Sequence, residues 1–475
     1  MNASDLIDLF PLIIIASFAI IIMIVNIFYR KHEVNAVLAI SGLLLAFMTT
    51  AGLFGSVPGR TANLLTIDSY ALFFMGLFFA ATLAITALSY GYNKTHEGSH
   101  EAFYILLLIA VLGSAVLAAS SHFVSFFLGL EMLSISLYAL IAYRRGERSN
   151  EAGIKYLVLA GLSSSFLLFG MALVYAQTGT MEFSEIASVS SASQVRSLAM
   201  SSGVLLIIVG AGFKLALVPF HMWTPDVYEG SPAPISAFVA TVSKGAVFAL
   251  ILRFFTLIDI QADGRFFLVF TIIAVASMFT GNLLALYQNN IKRVLAYSSI
   301  AHLGYLLVAF LSNGALAITA VSFYLTAYFI TIIGAFGVIT VLSRADEERE
   351  FLDQYRGLAQ THPLLSGVFT AMLLSFAGIP LTAGFIGKFY LVSAGVNSAL
   401  WLLIFSLVVN SAISIFYYLR IIAALYEAVP EKMIEIPLPL AGTIAISALM
   451  LMLMCLGIYP SQLIRLIQIT AATLG

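Results

Sequence analysis

Long stretches almost free of polar residues alternate with short polar punctuation along this chain, and the stretches share a common length. Each holds about 20 or more apolar residues, enough for a helix to cross roughly 30 Å of hydrocarbon, and about fourteen can be counted. They fall near 6–28, 35–55, 69–91, 103–120, 122–143, 151–177, 200–222, 233–256, 266–289, 292–312, 314–343, 362–394, 398–427 and 437–459. The first, Leu6 to Phe28, lacks a basic leader and runs into "YRKH" instead of a small-residue cleavage site, so it reads as a retained helix. The pattern predicts an all-α integral membrane protein, a single polytopic domain over 1–475.

Composition agrees with that reading and then sharpens it. Of 475 residues 61% are hydrophobic and 9% charged, where soluble domains carry roughly 25% charged residues. With so few charges the basic loop residues can be assigned to two sides. One set of alternate loops holds Arg30, Lys31, Lys94, Arg144, Arg145, Arg148, Lys292, Arg293, Arg344, Arg349, Arg356 and Lys432, the other only Arg60, Arg196, Arg265 and Arg465. The bias places the first set in the cytoplasm and both termini on the periplasmic side, which needs an even number of spans. The longer connections are a Ser-rich outer loop near 178–198 and the inner run "SRADEEREFLDQYRGLAQTH", which reads as a solvated charged loop. Cys455 is the sole cysteine, which excludes a disulfide framework, a cysteine-ligated zinc and an iron–sulfur cluster.

Setting the loops aside leaves Glu131, Lys155, Lys214, Lys244, Arg253, Lys388 and Arg420 inside the apolar runs. Arg253 and Arg420 lie toward span ends and read as interface anchors. Lys155 follows Glu151 by one helical turn, the spacing of a surface ion pair. Glu131, Lys214, Lys244 and Lys388 stand deeper, at about 2.5–3.5 kcal/mol each on insertion scales. One carboxylate cannot neutralise three lysines, so helix assembly alone does not explain the set. Desolvated lysines are switchable proton sites, and the four read as a proton relay. Ser163, Ser164, Ser165, Ser243, Ser298, Ser299 and His302 are candidate bridging groups. The competing reading for each serine is a bond to its own helix carbonyl, and for His302 a packed neutral ring. His221, beside Trp223, reads as an interfacial structural residue.

Two of the runs are interrupted alike. "KLALVPFHMW" and "SFAGIPLTAGFIGKFYLV" each combine a proline with a lysine in mid-membrane. Broken helices free backbone groups that must face protein or a wet cavity, and matching breaks in two halves point to a transport site. The spans fall on that reading into three N-terminal helices (1–100), five (103–256), five (266–427) and a last one (437–475). "VGAGFKL" lacks the third glycine of a dinucleotide fingerprint, and no phosphate-binding lysine loop occurs. No nucleotide, flavin, haem, cluster or metal site is expected on the chain.

The stretches "GFKLALVPFHMWTPDVYEGSPAPISAFVATVSKGAVF", "NIKRVLAYSSIAHLGYLLVA", "SFAGIPLTAGFIGKFYL" and "EAGIKYLVLAGLSSSFLLFGMALVYA" resemble the antiporter-like membrane subunits of proton-pumping NADH:quinone oxidoreductase, respiratory complex I. The resemblance covers nearly the whole chain. Within the family, the "WTPDVYEGSPAPIS" wording, a lysine in "GFIGKF" where one branch has glutamate, and a chain ending soon after its last span favour one branch, without the long lateral helix of another. It implies fourteen transmembrane helices in two inverted five-helix repeats around broken helices 7 and 12. It also implies that Glu131, Lys214, Lys244 and Lys388 form the relay, with Glu151 and Lys155 contributing. Redox cofactors (NAD, FMN, iron–sulfur clusters and quinone) would sit in partner subunits of a hetero-oligomer in a bacterial inner membrane, with membrane lipid around it and no nucleic acid. The alternative within the same fold is an Mrp-type monovalent cation/proton antiporter subunit.

Overall fold

The structure is a computed structural model and describes residues 3–55, 64–94, 100–192, 197–258, 264–312, 314–343, 348–428 and 438–474. Arg60, Arg196, Arg344 and Lys432 lie outside them. Helices account for the regular structure throughout. After a short helix, Ala3–Asp8, six long ones follow: α1 (Phe10–Phe28), α2 (His32–Leu53), α3 (Ser69–Lys94), α4 (His100–Ala119), α5 (Phe123–Ile141) and α6 (Glu147–Thr178). Then α7 (Leu198–Leu215) and short α8 (Trp223–Gly230) precede α9 (Ala233–Ile258). α10 (Gly264–Leu286), α11 (Ile291–Phe310), α12 (Gly314–Leu342), α13 (Pro363–Ala377), α14 (Ala383–Asn397), α15 (Trp401–Leu425), α16 (Leu440–Ile458) and α17 (Ser461–Leu474) complete the order.

Among the described residues thirteen helices are long and apolar enough to cross a membrane. The remaining expected span is the pair α13–α14, each half too short alone. Part of the expected outer loop is helical too, Phe183–Ala192.

Burial sorts the helices into a centre and a rim. α12 is buried at every position from Ala317 to Leu342, and α11 at nineteen of its twenty positions, Arg293 being the partly exposed one. α9 is buried across its whole membrane window. α1, α2, α6, α10 and α16 instead turn large apolar side chains such as Ile27, Met48, Phe169, Ile272 and Leu451 outward, as lipid-facing helices do. Glycines let neighbours in the rim approach: a Cβ on Gly170 of α6 would stand 2.7 Å from the Gly203 carbonyl of α7. That approach brings Ser163 of α6 within reach of the Gly210 carbonyl of α7.

Both interrupted spans break where the sequence places them. α7 ends at Ala216, in the left-handed region at φ 59°, and residues through Met222, with a cis Val218–Pro219 bond, lead into α8. The freed Val218 N–H is taken by Ser277 Oγ of α10 at 3.0 Å. α13 ends at Gly378, φ 82°, and Thr382 caps α14 through Phe385 N. A third irregularity was not legible: α9 contains a π-helical turn, Val239–Ser243, directly before Lys244. Such turns widen a helix and recur at functional positions.

Candidate functional site

The three deep lysines and His302 lie at the buried centre, each held by a hydroxyl or a backbone oxygen. Lys214, in the last turn of α7, donates to Ser134 Oγ of α5 at 2.7 Å and lies 5.5 Å from the Tyr156 ring centre. Glu131 stands three residues before Ser134, on the same face of α5. Its carboxylate receives Ser164 Oγ–H from α6 at 2.6 Å. The expected Glu131–Lys214 pair is therefore a through-space attraction, with a serine hydroxyl holding each charge.

Lys244 follows the π turn and donates to Ser299 Oγ of α11 at 2.7 Å. Tyr328 of α12 also donates to Ser299, at 2.9 Å, and the Tyr228 hydroxyl stands 3.3 Å away. One turn along α11, His302 meets Tyr324 OH through Nδ1 at 2.5 Å and Tyr418 OH through Nε2 at 3.2 Å. Ser298 shares the Tyr418 hydroxyl. Lys388, in α14, reaches back across the break to the last carbonyls of α13: its ammonium donates to Phe376 O at 2.8 Å, Ala377 O at 3.0 Å and Ser411 Oγ at 2.7 Å. A cation is favourable at the C-terminal end of a helix, where carbonyls lack intrahelical donors.

Other expected residues find different places. Ser163 bonds the Gly210 carbonyl of α7, whereas Ser165 is exposed and bonded to its own helix at Gly161 O. Ser243 lies inside the π turn. His221 is buried in the α7–α8 break. The Glu151–Lys155 pair forms at 2.7 Å, but Lys155 equally grips Asp226 of α8 at 2.8 Å.

The interface-anchor reading of Arg253 is corrected. Arg253 is buried, paired in two parallel bonds with Asp68 at 2.7 and 2.8 Å above the Tyr70 ring, because α9 is buried at every position through Phe255 and offers no lipid-facing side at this level. Arg420 donates to Leu286 O and Gln288 O and holds the C-terminal end of α10.

The solvated reading of the inner run is corrected in part: Glu348 and Tyr355 are buried, whereas Asp353 and Arg356 stay exposed. Its residues 348–356 fold back over the start of α11, where Ile291 N meets Glu350 O at 2.6 Å and Leu352 N meets Asn289 O at 3.0 Å. Lys292, a loop cation by sequence, is fully buried against buried Glu348 at 2.6 Å. Around it an alternating set of charges spans α6, α8, α11 and this loop: Arg293 links Asp226 at 2.9 Å and Glu229 at 2.7 Å, and Arg148 meets Glu350 at 3.4 Å. Burial raises the Asp226 carboxyl, but Lys155 and Arg293 outweigh it and hold the group below its ordinary value. Burial likewise works against ionised Glu348, and Lys292 and Arg144 hold it low; for Glu350 burial wins, and its carboxyl is raised. A hint was available in "TPDVYEG", whose two acids lie three residues apart on one helical face.

Among the described residues no three His, Cys, Asp or Glu side chains cluster as a metal site. The arrangement sets lysines, hydroxyls and an imidazole, side chains that can donate protons, along the buried interior, and its broken helices are of the kind that serve ion transport. The family description "NADH:quinone oxidoreductase/Mrp antiporter, TM" matches residues 120–414. The chain belongs to this family, in the branch of the NADH-quinone oxidoreductase subunit N proteins. It is 52% identical to subunit N of Nitrosospira multiformis, covering 98% of this chain and 96% of the relative. It is 45% identical to that of Ectopseudomonas mendocina, covering 98% and 97%. A chain of respiratory complex I from Thermus thermophilus superposes with a TM-score of 0.83 at 32% identity, over 96% of this chain and 98% of that one. A chain of the Mrp complex from Dietzia shares the fold, TM-score 0.87 at 20% identity, over 100% and 98%.

Proposed function

We propose that this chain translocates protons as one membrane subunit of a bacterial NADH:quinone oxidoreductase, driven by electron transfer in partner subunits that carry NAD, FMN, iron–sulfur clusters and quinone. The observation that carries the proposal is the buried succession Lys214, Lys244, His302 and Lys388, each with a hydroxyl contact and two of the lysines beside a helix break. Full-length identity to subunit N proteins supports it over Mrp-type exchange.

In this reading a shift of Glu131 relative to Lys214 is the input. Weaker attraction from Glu131 favours loss of the Lys214 proton, and the altered charge biases Lys244 next, then Lys388. Serine and tyrosine hydroxyls accept and donate in place of bulk water. Lys388 exchanges its proton with the far side. Both termini lie on the periplasmic side, and the two groups of five helices form inverted repeats.

The test is NADH-driven acidification of inverted membrane vesicles. Glu131→Ala and Lys244→Ala are each expected to lower acidification per assembled complex at least tenfold. Normal acidification at normal abundance would sink the relay, and sodium-dependent proton exchange without NADH would favour the Mrp-type reading.

A further inference from the structure

Lys292 and Glu348 are not used by the relay, yet they form a closed buried pair. The Lys292 ammonium spends its three N–H groups on Glu348 Oε2 at 2.6 Å, Ser231 O at 2.7 Å and Glu229 O at 2.9 Å. The last two carbonyls close α8. Glu348 Oε1 accepts from Ala233 N at 3.1 Å and Tyr92 OH at 2.5 Å, with Arg144 at 3.2 Å.

Ala233 opens α9 between Pro232 and Pro234, and Pro234 has no N–H, so Glu348 takes the first free donor of this helix. The cation therefore sits on the C-terminal end of α8 and the anion on the N-terminal end of α9. Each charge is matched to the helix end it touches.

The pair and the Lys244–Ser299 contact are two rungs between the same helices. Lys292 and Ser299 are seven residues apart on α11, about two turns on one face, and Ala233 and Lys244 eleven apart on α9, about three turns. Both helices start on the same side. Loosening the first rung frees α9 to rotate against α11, and the second rung must follow.

We propose that Glu348 and Lys292 are positioning residues for Lys244: they fix the start of its helix, and their charges set the pH at which Lys244 exchanges its proton. Glu348 is faced by Lys292 of α11, Arg144 after α5, Tyr92 of α3 and, in its own loop, Glu350, with Glu229 of α8 beyond Lys292. Lys244 is faced by Tyr228 of α8 and by Ser299, to which Tyr328 of α12 donates. The inference rests on the proton-translocating reading above.

The test uses the complete oxidoreductase in inverted vesicles, with protons moved per NADH oxidised measured against pH. Glu348→Gln keeps an acceptor for Ala233 N and removes one negative charge. It is expected to lower the yield per assembled complex several-fold and to move its pH profile toward acid, with quinone reduction retained. Glu348→Asp, its charge kept but withdrawn by one methylene, is expected to show the wild-type profile at reduced yield, and it decides alone if Glu348→Gln does not assemble. A wild-type yield in either variant, or a reduced yield in Glu348→Gln with an unmoved profile, would overturn the inference. Lys244→Ala run in parallel separates the two readings: normal yield there removes the relay itself, whereas lost yield beside a wild-type Glu348→Gln removes only the positioning pair.

Discussion

Two carboxylates in one loop, two residues apart, are held in opposite senses. Glu348 is kept below its ordinary value because Lys292 and Arg144 outweigh its burial. It contributes stability above the ordinary carboxylate range and loses it as pH falls through its lowered value. Glu350 is raised chiefly by burial, so its ionisation opposes folding and its contribution fades as pH rises through the raised value. Glu350→Gln is therefore expected to change thermal stability of the detergent-solubilised complex by under about 1 kcal/mol at pH 7.5. It should also flatten the pH dependence of stability just above the ordinary carboxylate range. A loss of several degrees in melting temperature would show that the Arg148 contact outweighs the cost of the buried charge. The deep charges Glu131, Lys214, Lys244 and Lys388 were legible because an apolar background makes any ionisable residue conspicuous. Lys292 was not, because beside Arg293 at a span end it looks like any other loop cation, and only the returning loop covers it.

At the scale of the element, the break after α13 depends on Gly378. Its φ of 82° is a region that side chains avoid, and a Cβ there would stand 2.9 Å from Lys388 Cδ. Gly378→Ala is expected to cost about 1–3 kcal/mol of local strain. Because the contact falls on Lys388, it should lower proton yield per NADH more than it lowers assembly, as quantitative blotting beside acidification would reveal; equal losses in both would mean that the glycine matters for folding alone. The prolines marked the two interrupted spans, but the ends of their halves depend on left-handed residues such as Ala216 that carry no sequence signal. The π turn before Lys244 was hidden for a similar reason: its residues, Val239–Ser243, suit an ordinary helix, and only packing on all sides selects the wider turn.

Across the whole molecule, the near-uniform length of the apolar runs made the count of spans readable, since thickness of the bilayer sets it. Which helices occupy the centre was less readable, because a lipid-facing and a buried membrane helix are equally apolar. That is why Arg253 looked like an anchor. Its bond to Asp68 ties α9 to the residue just before α3, joining the N-terminal three helices to the centre. Asp68→Asn leaves a buried guanidinium unpaired, at about 3–5 kcal/mol, and is expected to cut the amount of folded chain in membranes severely. Asp68→Leu combined with Arg253→Leu should recover much of it; no recovery would mean that the aspartate serves chiefly as the acceptor for Ala71 N.

The Lys388 ammonium stands where α13 lacks its own donors, holding the Phe376 and Ala377 carbonyls across the break. A neutral amine would keep two N–H groups for three acceptors, these carbonyls and Ser411 Oγ, so the occupancy of this lysine and the shape of the hinge are coupled. Reciprocity then applies: whatever bends α13 away from α14 weakens proton binding by the same free energy that proton binding spends in closing the bend. A neighbouring protein leaning on this hinge would act as a lever on proton affinity, and a proton gradient would push back on that neighbour through the same two carbonyls.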